Sequence, residues 1–272
     1  MRTQRAGDLG YSAVVGILAG LGFLILVGPV VIVLLTSLTE GRSIKFPPSG
    51  LSLQWYRLLF DPVSSAPIQR AALNSLEVAA VTMLAATLLA TLASVALARR
   101  TGRWVRALDT FFMSPMILPM LAYGLAALMY FTLLGFRPSL PLIMLGHIVV
   151  VAPLVLRTTS ASMSQLDPAL LESSASLGGG WFYTFRRVTL PAIAPGIAAG
   201  AFLAFVASLD NVPVSLFLAG PRSDMLPIRM WGMMESTLDV RVAAVSGVLI
   251  AIVLALMLVM ERVAGLTRRL RD

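Results

Sequence analysis

Long apolar runs separated by short polar segments dominate this chain. The first extends from about Ala13 to Leu35, and others follow at about Leu73 to Ala98, Leu108 to Leu134, Leu140 to Leu156, Gly196 to Leu218 and Val242 to Met260. Runs of about 20 residues match the hydrocarbon thickness of a bilayer at the α-helical rise. In lipid, backbone groups must bond within their own segment, so six such runs predict an all-α polytopic membrane protein with six transmembrane helices. Pro115 and Pro119 fall in the third run, where a missing N–H donor predicts a kink or break that neighbouring helices compensate.

Two polar segments stand out between the runs. Gly41 to Pro67 carries Phe46, Pro47, Pro48, Trp55, Tyr56 and Asp61-Pro62, which predicts an ordered surface loop with aromatic rings at headgroup level. The second covers residues 160–195 and holds the informative chemistry. The first apolar run follows Arg2, Arg5 and Asp8, as a secretion signal would. It is too long for a signal core, and no small-residue cleavage site is evident before Thr36 to Gly50, so it is expected to be a retained helix.

Composition and charge bear on environment and topology. At 58% hydrophobic and 12% charged residues, with a mean hydropathy of +0.87, the chain is not an ordinary soluble domain. A net charge of +8 raises nucleic-acid binding, but the arginines sit in short clusters between apolar runs and not along one face. Thirteen of the 21 basic residues fall on one side of the predicted bundle: Arg2, Arg5, Arg99, Arg100, Arg103, Arg106, Arg157, Arg186, Arg187, Arg262, Arg268, Arg269 and Arg271. Lys and Arg are retained on the cytoplasmic side, so that side, with both termini, is assigned to the cytoplasm. Arg42, Lys45, Arg222 and Arg229 are on the other side, so the bias is a preference and not an absolute partition. Cysteine is absent, which excludes disulfides and thiolate metal sites, and a single histidine leaves no metal cluster to assemble.

Gly16 with Gly20 and Gly196 with Gly200 have the four-residue spacing that lets helix backbones approach in lipid. Gly and Ala are abundant throughout, so ordinary bundle packing is the default expectation at both pairs. No internal repeat divides the chain, and residues 1–272 are expected to form a single transmembrane domain.

In the polar segment, Asp167-Pro168 predicts a helix start, since Asp accepts from orphan N–H groups and Pro at the first position gives up none. Leu166, Leu170, Ser174 and Leu177 recur at helical spacing, and Gly178-Gly179-Gly180 supplies a stop tolerant of left-handed backbone. A second short amphipathic stretch, Trp181 to Leu190, is expected to end at Pro191. Two short helices at a glycine elbow would make a projecting knob, suited to transmitting force or to resting on headgroups.

Here the residues resemble a known family. Glu172-Ser173-Ser174-Ala175-Ser176-Leu177-Gly178 followed by Val188-Thr189-Leu190-Pro191 is similar to the E-A-A-x-x-x-G-x9-I-x-L-P loop of binding-protein-dependent ABC importer permeases, with the spacing kept. Ser173 and Ser174 replace alanines and Val188 replaces isoleucine, all conservative in size. The resemblance to the spermidine/putrescine branch extends through Phe46-Pro47-Pro48, Gln54-Trp55-Tyr56, Asn74-Ser75-Leu76, Gly146-His147, Ser208-Leu209-Asp210-Asn211, Gly220-Pro221 and Leu226-Pro227.

The resemblance implies a permease subunit in the bacterial inner membrane. Its cytoplasmic coupling helix, with Glu172, Ser173, Ser174, Leu177, Gly178, Leu190 and Pro191, would dock in a cleft of an ATPase. Implied partners are a second, different permease, two ATP-binding subunits and a periplasmic solute-binding protein, with ATP and Mg held by the ATPases and no cofactor on this chain. The implied cargo is a polyamine such as spermidine or putrescine; the branch also resembles importers of opines, aminobutyrate, phosphonates, thiamine and ferric ion.

Asp210 is placed by the apolar pattern inside the fifth run, where a carboxylate costs about 2.5 to 3.5 kcal/mol unless it meets water or a partner. By resemblance, Asp210 and Asn211 occupy an acidic pair facing the translocation path, with Asn211 halving the charge. The alternative is an ion pair between Asp210 and an arginine on another helix or on the partner permease. His147 is expected to be a hydrogen-bonded packing residue. No G-x-x-x-x-G-K-[ST] segment exists, so ATP must bind elsewhere. An intramembrane hydrolase using Asp210, His147 and span serines competes with the transporter, but their spacing matches no hydrolase motif. A passive channel would leave the Asp167 to Pro191 segment without a role.

Overall fold

The computed structural model describes residues 2–98, 100–237 and 239–264. Helices dominate it: α1 Arg2–Ser37, α2 Gln54–Leu59, α3 Ala66–Ala98, α4 Arg103–Met113, α5 Met120–Leu133, α6 Leu140–Ser164, α7 Pro168–Ser176, α8 Trp181–Thr184, α9 Leu190–Leu209, α10 Val212–Leu218, α11 Leu226–Thr237 and α12 Arg241–Ala264. Among the described residues, the sole β pairing is an isolated bridge between Thr39 and Leu51. Five helical stretches are long and apolar enough to cross a membrane: Gly10–Ser37, Ala66–Ala98, Leu140–Ser164, Trp181–Leu209 and Arg241–Arg262. Arg99, Arg268, Arg269 and Arg271 of the charge argument lie outside the described residues.

Two of the expected runs are divided. The third is two helices, α4 and α5, that meet at 100° through a 3-10 turn, Ser114–Met116, and count as a sixth span only if the bent pair is taken as one. Pro115 and Pro119 therefore break the helix outright, and Pro119 starts α5 at a position where no donor is needed. On α4, Trp104, Leu108, Phe111 and Phe112 share one face and Arg103, Arg106, Asp109 and Thr110 the other, and no residue of the helix is buried. The fifth run is likewise not one helix from 196 to 218. Its helix begins at Trp181, ends at Leu209 and is followed by the separate α10.

Contacts divide the chain into two compact units, Met1–Ala66 with Gly232–Ala251 and Pro67–Trp231 with Ile252–Asp272. In the first, the proline-rich loop is ordered by polar ties. Tyr56 and Ser37 share a hydroxyl hydrogen bond of 2.7 Å, Trp55 donates to the Thr39 carbonyl at 2.9 Å, and Gln54 donates to the Glu40 carbonyl at 2.7 Å. Arg241 binds Asp239 through Nε and Nη2 at 2.8 and 2.6 Å and reaches the Ser64 carbonyl at 3.1 Å. Most of α1 is exposed within this chain, as suits a helix facing lipid or another subunit.

In the second unit α6 is the hub. Ile143 and Val150 pack with Val78 of α3 and Val214 and Leu218 of α10, while Val151, Val155 and Leu156 pack with Ala86 and Ala90 of α3 and Ala204 of α9. Lipid is as apolar as these side chains, so burial from water contributes little within a bilayer and close packing with internal hydrogen bonds must hold the helices. The small residues do this. A Cβ on Gly196 would stand 2.7 Å from both Ser162 Cβ and the Thr158 carbonyl, and one on Gly200 would stand 2.9 Å from Val155 Cα. This pair forms a true close seam between α9 and α6, beyond ordinary bundle packing. Gly16 and Gly20 on α1 meet nothing within 4 Å in this chain.

Candidate functional site

The segment from Asp167 to Pro191 builds an elbow. Asp167 caps α7 by accepting from the Ala169 N–H at 2.9 Å, with Pro168 at the first helical position. At the other end Gly178 takes φ of +81°, the Gly179 N–H donates to the Ser174 carbonyl at 2.8 Å and the Gly178 N–H to the Ala175 carbonyl at 2.9 Å. These two bonds and the left-handed glycine constitute a Schellman stop. A Cβ on Gly178 would meet nothing within 4 Å, so glycine is required there by backbone angle and not by space.

Beyond the elbow the expectation of a second short helix ending at Pro191 is corrected. A π turn over Phe185–Thr189 joins α8 to α9, with the Leu190 N–H reaching back to the Phe185 carbonyl, so the helix runs on past Pro191. The wider turn shifts the hydrogen-bond ladder just where Pro191 cannot donate. Ser174 and Thr184 hydroxyls, 2.8 Å apart, tie α7 to this helix, and the Trp181 and Phe185 rings stack at 5.8 Å. Leu177 is 89% exposed at the tip, with Trp181, Phe182 and Tyr183 also exposed. Glu172 and Ser173 are exposed on α7, Ser174 is half-buried against Thr184, and Leu190 and Pro191 lie in the helix beyond the elbow. A shallow hollow of about 410 Å³ lies between Ser174, Leu177, Gly178 to Gly180 and Tyr183.

The second feature is the break between α9 and α10. Asp210 is not inside a helix: it is the residue that closes α9, exposed, and among the described residues none pairs with its carboxylate. Exposure at a helix end removes much of the cost of a mid-span carboxylate, and among the described residues no arginine pairs with it. Asn211 is 9% exposed and turns its side-chain oxygen to the Val214 N–H at 3.1 Å, capping α10.

His147 of α6 is fully buried beside the break, with Nδ1 2.9 Å from Ser208 Oγ and Nε2 3.1 Å from Ser215 Oγ. The adjacent Gly146 admits α10 closely, since a Cβ there would stand 2.8 Å from Leu218 Cδ1 and 2.9 Å from Val214 Cγ1. On α5, a Cβ on Gly124 would lie 2.8 Å from the Pro213 carbonyl. The histidine–serine pair has the separation of a base and nucleophile, but Ser208 and His147 are both 0% exposed. Both ring nitrogens face serines, and no carboxylate orients the imidazole. This is a structural staple, as expected of His147.

Asn74 and Ser75 hold another join. Asn74 donates to the Asp224 carbonyl at 2.9 Å and Ser75 Oγ accepts from the Leu226 N–H at 2.8 Å, so α3 anchors the turn between α10 and α11. Among the described residues no group of His, Cys, Asp and Glu could hold a metal ion.

Comparisons with known proteins give the family. Residues 68–270, most of the chain, match the family described as "Binding-protein-dependent transport system inner membrane component". The "Spermidine/putrescine transport system permease protein PotC" of Escherichia coli (strain K12) is 29% identical over 237 residues, 87% of this chain and 88% of that protein. The "Putrescine transport system permease protein PotI" of the same strain is 28% identical over 242 residues, 86% of this chain and 84% of that protein. Among solved structures, a bacterial ABC transporter "involved in the import of the acidic polysaccharide alginate" has a chain superposing with a TM-score of 0.71 at 16% identity, covering 99% of this chain and 100% of that one. A second structure of a bacterial alginate ABC transporter, in complex with an alginate pentasaccharide-bound periplasmic protein, gives 0.69 at 17% identity, covering 95% and 94%.

Proposed function

The chain belongs to the family of binding-protein-dependent transport system inner membrane components, and from that premise we propose that it forms half of the pore of an ATP-driven importer for a polyamine or related small amine. It is a transport subunit of the inner membrane and not an enzyme. The elbow supports an ATPase-coupling role: a rigid capped helix with an exposed leucine tip, continuous with a long span, carries a push from a partner into the bundle. Glu172, Ser173, Ser174, Leu177 and Gly178 form that surface in this reading, and Leu190 and Pro191 begin the lever behind it. Two ATP-binding subunits supply ATP and Mg, a different permease completes the pore, a periplasmic binding protein delivers cargo, and the elbow and both termini face the cytoplasm.

The observation that carries the cargo reading is the free carboxylate of Asp210 at a helix break, where the carbonyl end of α9 also favours positive charge. Relatives named for spermidine and putrescine point the same way. The solved structures of similar fold import an acidic polysaccharide, so fold alone does not choose the cargo. Asn211 contributes through the shape of the break, its oxygen being committed to Val214. Opines, aminobutyrate and other amino-acid-like amines, phosphonates or ferric ion are the alternatives. The test is ATP-dependent uptake of labelled putrescine by proteoliposomes holding the complete importer. Asp210→Asn is expected to raise the apparent KM at least about tenfold, the worth of one charge-assisted contact. An unchanged KM would remove Asp210 from the path.

A further inference from the structure

The break after α9 is held from outside itself, by α6. His147 places one ring nitrogen on Ser208, two residues before Asp210, and the other on Ser215, five residues after it, at 2.9 and 3.1 Å. All three side chains are essentially without solvent exposure. Neither serine needs an imidazole for its own helix, and a buried polar group in a bilayer is retained only if its bonds are made. Either tautomer satisfies the pair, because each hydroxyl can donate or accept. Gly146 and Gly124 bring α10 against α6 and α5 so closely that its position is determined on two sides. Asn211 supplies the cap that lets α10 restart at once. The whole arrangement leaves one side chain at the break unpartnered and exposed, that of Asp210.

We propose that His147 is the positioning residue of the translocation path, holding Ser208 and Ser215 so that the chain breaks at Asp210 and presents its carboxylate to the cargo. This rests on the reading of Asp210 given above. The histidine itself touches no solute. Its contribution is to spare Asp210 the disorder of a free helix end, so it acts on cargo affinity more than on the turnover that the ATPases drive.

The experiment uses the complete importer in proteoliposomes, with labelled putrescine as the probe, and amide hydrogen exchange over residues 208–215 as a readout that needs no cargo. His147→Leu keeps the volume and removes both hydrogen bonds. It is expected to speed exchange in that segment about thirtyfold, two net hydrogen bonds' worth, and to raise the apparent KM about tenfold with the maximal rate within about twofold. His147→Asn retains reach to Ser208 and His147→Gln retains reach to Ser215, so each should fall between wild type and leucine in both readouts. Should the leucine chain fail to assemble, Ser215→Ala removes one bond from the same staple, and faster exchange with a smaller rise in KM is expected. Wild-type exchange and KM in the leucine variant, or in Ser215→Ala where that variant replaces it, would overturn the proposal and leave packing alone to hold the break. Wild-type uptake by Asp210→Asn, with exchange still responding to His147→Leu, would sink the cargo reading while keeping the staple.

Discussion

The α6–α9 seam makes opposite predictions for glycines that look alike in sequence. Replacing Gly196 by Ala introduces one Cβ into a space bounded by Ser162 Oγ, Ser162 Cβ at 2.7 Å and the Thr158 carbonyl at 2.7 Å. The hydroxyl can rotate away. The Cβ and the carbonyl are fixed to the α6 backbone, so the helices must part by several tenths of an ångström. Overpacking of this kind costs about 1–3 kcal/mol, and immovable backbone puts this site in the upper half of that range. Helix propensity returns at most about 1 kcal/mol of it, and less where the unfolded chain is itself helical in detergent. The net expectation is a loss of about 1–2 kcal/mol. Gly16→Ala meets nothing within 4 Å and should be neutral or stabilising by up to about 1 kcal/mol.

The assay is reversible unfolding of the purified chain in mixed detergent micelles, followed by helical signal against denaturing detergent. A double mutant separates local clash from general weakening: Ser162→Gly removes both contacting side-chain atoms, and combined with Gly196→Ala should recover about 1 kcal/mol relative to the sum of the single changes. Gly200→Ala faces Val155 Cα at 2.9 Å, a backbone atom, so no side-chain substitution opposite it should rescue. If Gly196→Ala and Gly16→Ala shifted stability in the same direction by the same amount, the close seam would be refuted.

Other outcomes follow from single features. Gly178→Val, at φ of +81° with open space around it, should abolish ATP-dependent uptake, while Gly178→Asn, which tolerates that backbone region, should keep much of it; equal activity of the two would refute the backbone argument. Leu177→Asp should release the ATPase from the complex on co-purification without altering the melting of the isolated permease, since Leu177 is 89% exposed. Burial works to raise the Asp239 carboxyl, but hydrogen bonds from Arg241 and its charge outweigh this and hold it below 3.8, and Ser64 hydroxyl and amide bonds likewise lower Asp61. With folded values depressed, both contribute stability fully above the unfolded value of about 3.9 and lose it as pH falls through the folded values. Stability should therefore be unchanged by either group between about pH 5 and 8, with loss confined to stronger acid and reduced, to the part due to Asp61, in Asp239→Asn.

Legibility in the sequence followed the length scale of each signal. Apolar runs located α1, α3, α6 and α12 because hydrocarbon thickness imposes a long, redundant pattern, but the helices run on into polar sequence, to Arg2 at the start of α1, Ala66 at the start of α3 and Ser164 at the end of α6. The Asp167 cap and the Gly178 stop were also legible, each resting on local side-chain or backbone chemistry. Hydropathy could not see the breaks: Pro115 and Pro119 allowed a kink or a break, and the structure has a 100° turn there. It also merged α9 with α10, because Val212 to Leu218 is as apolar as what precedes it. The missed signals were small or polar residues whose partners are distant in sequence. Gly124 and Gly146 admit α10, Asn74 and Ser75 tie α3 to residues 224–226, and His147, expected to be hydrogen-bonded, has partners at 208 and 215 that its own position did not indicate.

These distant ties connect the two candidate features mechanically. The helix that begins at Trp181 under the elbow runs without a gap to Leu209, beside Asp210, and its π turn lets it do so through Pro191. The Ser174–Thr184 hydroxyl pair joins α7 to this helix, which lies closely on α6 at Gly196 and Gly200, so in the proposed coupling reading it would serve as the lever. In contrast, α10 is gripped by α5 and α6 at Gly124 and Gly146. In the coupling reading proposed above, a push on the elbow reaches residues 209–212, where the helical ladder is interrupted and the Asp210 carboxylate is exposed. A continuous fifth span would carry the same push straight through and leave the proposed cargo site unchanged. In the proposed reading the break would turn that push into a local change of geometry at Asp210, as exposure of a site to alternating sides requires.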